Sequence, residues 1–461
     1  MRILELLLLV LTTVSGIWTF SCNKKHKGLQ LFLLSISSIV ILAHGVLEGF
    51  RLQLACVYLA LPVLWLIFLS SKKRIGRRKR IFLLSLSFLC LLGTLASLYL
   101  FPVNTMPKPT GPYTIGTVSY ELTEQGREEL YGPEPRKDWH IRFQVWYPAD
   151  SSKGGKLTKW LTDGRKVASG IPVLYNLPSF LLDHTALIKS HSYSDLMISA
   201  KEQTYPLVLI SHGWTGFSSL HSDLGEMLAS HGYIAVSINH TYGAAVSVFE
   251  DGEVVYVDQG ALPDRSSVDD FDTFSHSLVS TFANDDRAVL DFLETNTFFA
   301  DRIDQEKVGA MGHSTGGGGV VSFAIKDPRI KAVLGFDAWV EPIETDILEK
   351  GLHIPSAFLR SEQWETGPNN EFLKQLLDNS AARPSIYKVQ GGKHQDFSML
   401  YMYLPITRIL GETGTLDPLE NAEIQQSFVL TFFDQNLKQA PGDLQNWFET
   451  HSAVSEVTEF E

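Results

Sequence analysis

Four long apolar stretches open the chain: Ile3–Phe20, Leu29–Leu47, Leu52–Leu69 and Ile81–Phe101. Each has the length that crosses about 30 Å of hydrocarbon as a helix, and together they hold one formal charge, Glu5. None of the four shows a polar face, so membrane spans account for them better than the buried helices of a soluble domain. A Pro- and Gly-rich passage, residues 102–112, then reads as a linker. Beyond it, short strand-like runs alternate with helical stretches, which predicts an α/β fold. Strands are predicted at Tyr113–Leu122, His140–Tyr147, Leu207–Ser211, Tyr233–Ile238, Val308–Met311, Ala332–Phe336, Ser356–Leu359 and Ser385–Val389. The first two alternate, as strands at an antiparallel edge do. The later ones are near-continuous apolar runs, as strands covered on both faces are. The segment Ser151–Ala200 reads as an irregular apolar insert or lid with Trp160, Tyr175, Phe180 and Leu187; it either packs on the sheet or rims a lipid cleft. The pattern thus divides the chain into a four-span region (1–101), the linker, a catalytic-type domain (113–440) and a polar C-terminal tail (441–461).

Charge sharpens this division. The first 101 residues hold 12 of the 39 Lys and Arg but 2 of the 51 Asp and Glu, a net of +10; the remainder, with 27 basic and 49 acidic residues, carries −22. So acidic a domain repels phosphate backbones, which excludes nucleic acid as its partner. At 44% hydrophobic and 11% aromatic residues the chain is too apolar for disorder. Lys24, Lys25 and Lys27 lie in the first connection between spans, and seven Lys or Arg lie in the third, Ser71–Arg80. In the second, Glu48 and Arg51 cancel. Positive loops stay cytoplasmic, so the multi-pass region is expected in the cell membrane with everything after Phe101 extracytoplasmic. A cleaved signal peptide at Ile3–Phe20 would reverse the first loop, and no A-x-A-like site follows it. Cys22, Cys56 and Cys90 all precede residue 102, so the rest of the chain has no disulfide, Cys metal site or Cys nucleophile.

The candidate chemistry centres on Gly312-His313-Ser314-Thr315-Gly316, a G-x-S-x-G match. The pattern alone is weak, but here it follows a predicted apolar strand and precedes three more glycines and a helical run. A strand-to-helix turn that exposes a nucleophilic Oγ needs such small flanking residues, so Ser314 is the predicted nucleophile and the fold is predicted to be an α/β-hydrolase. A serine hydroxyl needs a base held in one tautomer, and in this fold the acid and then the histidine follow the serine. His353, His394 and His451 remain in the chain after it. His394, on a loop after Ser385–Val389, is the predicted base. Asp337, at the end of strand Ala332–Phe336, is a candidate acid, with Glu362 and Asp396 as alternatives. The oxyanion hole is expected from the Thr315 amide and from the Trp214 amide in His212-Gly213-Trp214-Thr215-Gly216; His212 reads as a residue that fixes this loop.

These segments resemble the secreted platelet-activating factor acetylhydrolases, isoform II, a phospholipase A2-like branch of the α/β-hydrolases. The resemblance rests on Gly111-Pro112-Tyr113 to Leu122, Val145-Trp146-Tyr147-Pro148, Pro206 to Gly213, Ala229-Ser230-His231-Gly232-Tyr233, Gly312–Gly318, Asp337-Ala338-Trp339 and His394-Gln395, and runs from about Gly111 to Leu437. It implies that Asp337 is the acid, since the family's acid follows the same strand, and that Trp214 and Thr315 supply the oxyanion amides. It also implies calcium-independent hydrolysis of short or oxidised acyl groups from the sn-2 position of phospholipids. The four-span N-terminus departs from the secreted pattern. The expectation is therefore a membrane-anchored serine ester hydrolase acting on lipid or small carboxylic esters, with no cofactor and no metal; His221, His231 and His240 lack ligand spacing. A general carboxylesterase or lipase on other esters is the alternative, and a non-catalytic membrane binding protein is the reading from another class.

Overall fold

The computed structural model describes residues 2–21, 27–70, 76–133, 137–381 and 384–458. Four helices, α1 (Ile3–Ser21), α2 (Lys27–Leu47), α3 (Ala55–Ser70) and α4 (Arg77–Leu100), come first, and the four stretches are long and apolar enough to cross a membrane. Most of their side chains face outward; of the last stretch 11% is buried. Lys24, Lys25, Lys72, Lys73 and Arg74, on which the charge reading of the first and third connections partly rests, lie outside the described residues. Glu5 is fully buried, and the Arg51 guanidinium closes on its carboxylate at 2.8 Å and that of Arg2 at 2.6 Å. Arg51 is therefore engaged by the first helix. Arg51, one of the two cancelling charges of the second connection, is thus part of a buried ion pair, as an ionic group away from water requires.

The strands are β1 (Thr114–Glu124), β2 (Trp139–Ala149), β3 (Lys156–Lys159), β4 (Lys189–Ser194), β5 (Tyr205–Ser211), β6 (Ile234–Asn239), β7 (Val246–Val248), β8 (Val254–Tyr256), β9 (Ile303–His313), β10 (Ile330–Phe336), β11 (Ser356–Ser361), β12 (Ser385–Val389) and β13 (Val454–Glu456). Eleven form one sheet in the order β13-β12-β11-β10-β9-β5-β6-β2-β1-β4-β3, while β7 and β8 pair separately. From β6 to β12 the neighbours run parallel; β2 is antiparallel to β6, and β1 to β2. Every residue of β5 and β6 is buried, because helices cover both faces. Phe271–Thr295 and Thr315–Lys326 pack on one, through Phe282, Val289 and Val320. Ser222–Ser230 and Pro418–Leu437 pack on the other, through Leu224, Leu228, Phe428 and Phe432.

All eight predicted strands are present, and three segments hold more structure than the sequence reading gave them. The insert Ser151–Ala200 is not irregular throughout: β3 and β4 extend the sheet beyond β1. Residues 441–458 are built into the fold. They contain the helix Leu444–Thr450, whose Trp447 is buried, and β13, which pairs with β12. Residues 102–112 lack helix and strand, yet they are no free linker. Met106 is buried, its carbonyl accepts from His191 Nε2 at 3.2 Å, and Asn104 Nδ2 donates to the Met402 carbonyl at 2.9 Å. At the same place the bundle meets the insert. Arg51 Nη1 donates to the Phe101 carbonyl at 2.8 Å, the Phe101 ring packs edge-on against His184 at 5.6 Å, and the Leu187 side chain lies against Gly49.

Candidate active site

The first parallel strand, β5, lies between β6 and β9, so the chain leaves it in opposite directions. Its C-terminal edge is the sheet's switch point, where loops diverge and leave a crevice. Ser211 of β5 is level with Gly312 of β9, which places the loop after β5 beside the turn after β9. Ser314 occupies that turn, immediately before the helix Thr315–Lys326, at φ 54° and ψ −121°. A non-glycine residue holds this conformation only when its surroundings impose it. Here the Ser314 N–H donates to Phe336 O at 2.9 Å, and Ser314 O accepts from Gly318 N at 3.0 Å and Trp339 N at 2.9 Å. The glycine at 316 is a steric necessity: a Cβ there would lie 2.4 Å from the carbonyl oxygens of both Ser211 and His212. Gly312 and His313 end β9 and are buried like Ser314.

Asp337 follows β10 and is 3% exposed. Its Oδ1 accepts from the Ser361 N–H at 2.7 Å, and its Oδ2 accepts from Ser361 Oγ at 2.6 Å and from His394 Nδ1 at 2.9 Å. The Nδ1–H of His394 is thereby committed and its Nε2 left as the acceptor. The structure thus brings Ser314, His394 and Asp337 to one place, with Ser314 and His394 lining a pocket of about 60 Å³. The alternatives lie elsewhere. Glu362 accepts from the Gly391 N–H, and Asp396 accepts from the Lys393 and Gly414 amides, each at 2.8 Å. Burial pushes the Asp396 carboxyl up from its ordinary range. His353 is exposed, and His451 stacks on Trp447 at 4.5 Å.

The loop after β5 passes so close that a Cβ at Gly213 would lie 2.8 Å from Ser314 Cβ. His212, fully buried, donates from Nδ1 to the Gly213 carbonyl at 2.7 Å and accepts the His240 N–H on Nε2 at 3.2 Å. Burial and the neighbouring His240 hold it neutral, far below the usual imidazole range. The Gly213 carbonyl also takes the Gly216 N–H at 2.9 Å. In a trans peptide the next N–H points opposite to that carbonyl, so the Trp214 amide is turned away from His212. Among the described residues neither the Trp214 nor the Thr315 N–H has a protein acceptor.

Sequence reasoning missed Ser361, Gln363 and Trp364. All three sit at the end of β11, where no local motif marks them. The signal available was the pairing of β11 with β10, which puts Leu359 beside Phe336 and so Ser361 next to Asp337. Among the described residues, a set with metal-ligand spacing occurs at Glu5, His44 and Glu48, in the helical bundle and away from this pocket. There Glu5 already takes two guanidinium groups.

Sheet order, covering helices and the serine at the switch point define an α/β-hydrolase, of the carboxylic ester hydrolase class. The family model of platelet-activating factor acetylhydrolase, isoform II, matches residues 99–259 and 283–456, and the chain belongs to that family. It is 25% identical over 318 residues to a platelet-activating factor acetylhydrolase of Cavia porcellus, covering 64% of this chain and 69% of that protein. It is 24% identical over 324 residues to a probable 1-alkyl-2-acetylglycerophosphocholine esterase of Arthroderma benhamiae, covering 64% and 76%. A solved ferulic acid esterase from Streptomyces cinnamoneus superposes with a TM-score of 0.63 at 22% identity, over 77% of this chain and 99% of that one; this likeness is one of fold.

Proposed function

We propose that the protein is a membrane-anchored serine esterase that removes short or oxidised acyl groups from phospholipids at the extracytoplasmic face. The observation that carries the reading is the Asp337–His394 hydrogen bond of 2.9 Å beside a serine on a strained turn. Ser314 Oγ attacks the ester carbonyl while His394 Nε2 takes its proton, and buried Asp337 stabilises the imidazolium that forms. The free amides of Trp214 and Thr315 receive the negative charge of the tetrahedral intermediate. Collapse expels the glycerol oxygen, which leaves with the proton from His394. Water, activated by the same base, then cleaves the acyl-serine and releases the short acid. None of these steps uses a metal or cofactor.

Pocket size supports the acyl preference, since about 60 Å³ is far below the 300–1,000 Å³ typical of drug-sized ligand sites. Exposed Tyr175, Leu177 and Phe180 from the insert, with Ile409 and Leu410, supply apolar surface for lipid contact. Tyr175 lines the same pocket as Ser314. The domain's net charge of −22 gives no electrostatic attraction to an anionic leaflet, so that contact has to be apolar.

The test combines a fluorophosphonate probe with p-nitrophenyl esters of increasing chain length and a phospholipid bearing an sn-2 acetyl group. Wild type should be labelled and Ser314→Ala not, with turnover falling as the acyl chain lengthens. Failure to label wild type leaves a non-catalytic protein. Labelling with no turnover of the phospholipid leaves a general carboxylesterase.

A further inference from the structure

The turn that follows β11 grips the His394 loop at three consecutive residues. The Glu362 carboxylate accepts the Gly391 N–H. Gln363 Oε1 accepts the His394 N–H at 3.0 Å, and the Gln363 N–H donates to Gly392 O at 3.3 Å. The Trp364 indole lies flat on the His394 imidazole, with ring centroids 4.4 Å apart and planes within 4°. Trp364 is itself anchored, because its carbonyl accepts from the guanidinium of buried Arg360, which also donates to Asn370 Oδ1 at 3.2 Å. His313 lies against the same imidazole at 4.5 Å, and burial holds it neutral.

These contacts divide the task of aiming one ring. Asp337 fixes one ring nitrogen, but a single hydrogen bond leaves the ring free to rock about the Nδ1–Oδ2 line. A flat aromatic partner removes that freedom without competing for Nε2. It also places the negative face of its π-system against the positive charge that His394 carries after taking the serine proton.

Resting on the serine-esterase reading above, we propose that Trp364 is a positioning residue for His394, the face of a clamp formed by Glu362–Trp364 that holds the base ring in line with Ser314. A misplacement of about 1 Å in such a site costs on the order of 10²-fold in rate. Trp364→Ala should therefore lower kcat by about 10–100-fold with KM within about threefold of wild type. Trp364→Leu fills much of the volume without stacking and should fall with the alanine variant. Trp364→Phe, which can stack, should keep a third or more of the wild-type kcat.

The fluorophosphonate labelling rate should follow the same order, since it needs the same base. If wild type is not labelled, the esterase reading fails. If wild type is labelled and Trp364→Leu reacts as fast at unchanged Tm, the clamp alone is overturned. A third readout does not depend on turnover. The emission that Trp364 contributes, read as the difference between wild type and Trp364→Phe, should be quenched by the stacked imidazole and should rise in His394→Ala. An emission difference that is the same with and without His394 refutes the stacking contact.

Discussion

Alanine at Ser314 or at His394 should each lower kcat by about 10⁵–10⁶, and the double variant should be hardly worse than either single, because the two groups act as one unit. Losses that multiply in the double variant would separate them. Asp337→Asn should damage turnover by about two orders of magnitude more than Glu362→Gln, since an amide at 337 favours the wrong tautomer of His394; the reverse order moves the acid to β11. Ser314 and His394 were readable as candidates because each carries its own local mark, whereas Asp337 and Glu362 both follow strands and the family resemblance put Asp337 first. Ser314 has glycines and an apolar strand before it, Asp337 ends a strand, and His394 follows one through Gly391 and Gly392. Ser361 and Trp364 have no such mark. One is a serine among many and the other an aromatic in a polar turn. Their meaning comes from β11 lying beside β10 and from the loop after β12 folding back over it.

Among elements, the helix Ser222–Ser230 is unusual in being buried along its whole length while carrying two acids, Asp223 and Glu226. Burial pushes the Glu226 carboxyl up to about 7 and that of Asp223 to about 6. Glu226 Oε1 takes the His191 N–H at 2.8 Å, which ties this helix to β4 of the insert. An acid whose folded pKa lies above its unfolded value keeps its proton where the unfolded chain releases it. Its presence therefore lowers stability as pH climbs from about 4.5 to about 7, and the full penalty applies above that. At roughly 1.4 kcal/mol per pKa unit the cost is on the order of 3–4 kcal/mol. Glu226→Gln keeps an acceptor oxygen and cannot ionise, so its Tm should match wild type near pH 5 and exceed it near pH 8. Equal Tm values at pH 8 would sink the assignment. Elements differed in legibility for the same reason that they differ in burial. The central strands announce themselves as apolar runs because both faces are covered. Polar β3, Lys156–Lys159, and β4, Lys189–Ser194, sit near the exposed edge and need no such run, while β7, β8 and β13 are three residues each.

At the scale of the whole molecule, loop charge predicts the orientation: the basic first and third connections are expected on one side and residue 102 onward on the other. Because the natural cysteines are confined to the first 101 residues, Ser152→Cys places a single thiol on the exposed surface of the catalytic domain. A membrane-impermeant maleimide should label it in intact, wall-stripped cells, whereas labelling only after permeabilisation reverses the topology. Hydropathy and charge made the division into bundle and hydrolase readable. The contact between them was not, since Phe101 against His184 and Arg51 on the Phe101 carbonyl join segments distant in sequence. That junction has a kinetic meaning. His184 also reaches the Tyr403 carbonyl at 3.3 Å, one residue beyond the turn Met399–Met402 that starts at the wall of the pocket, so the candidate cleft is seated against the helical bundle instead of swinging from a tether. With that bundle held in a membrane, as proposed above, an enzyme mounted this way would sample a plane, not a volume. For the membrane-anchored esterase proposed above, the working concentration of a lipid substrate would be its mole fraction in the bilayer, and dilution of the surrounding medium would leave that quantity untouched.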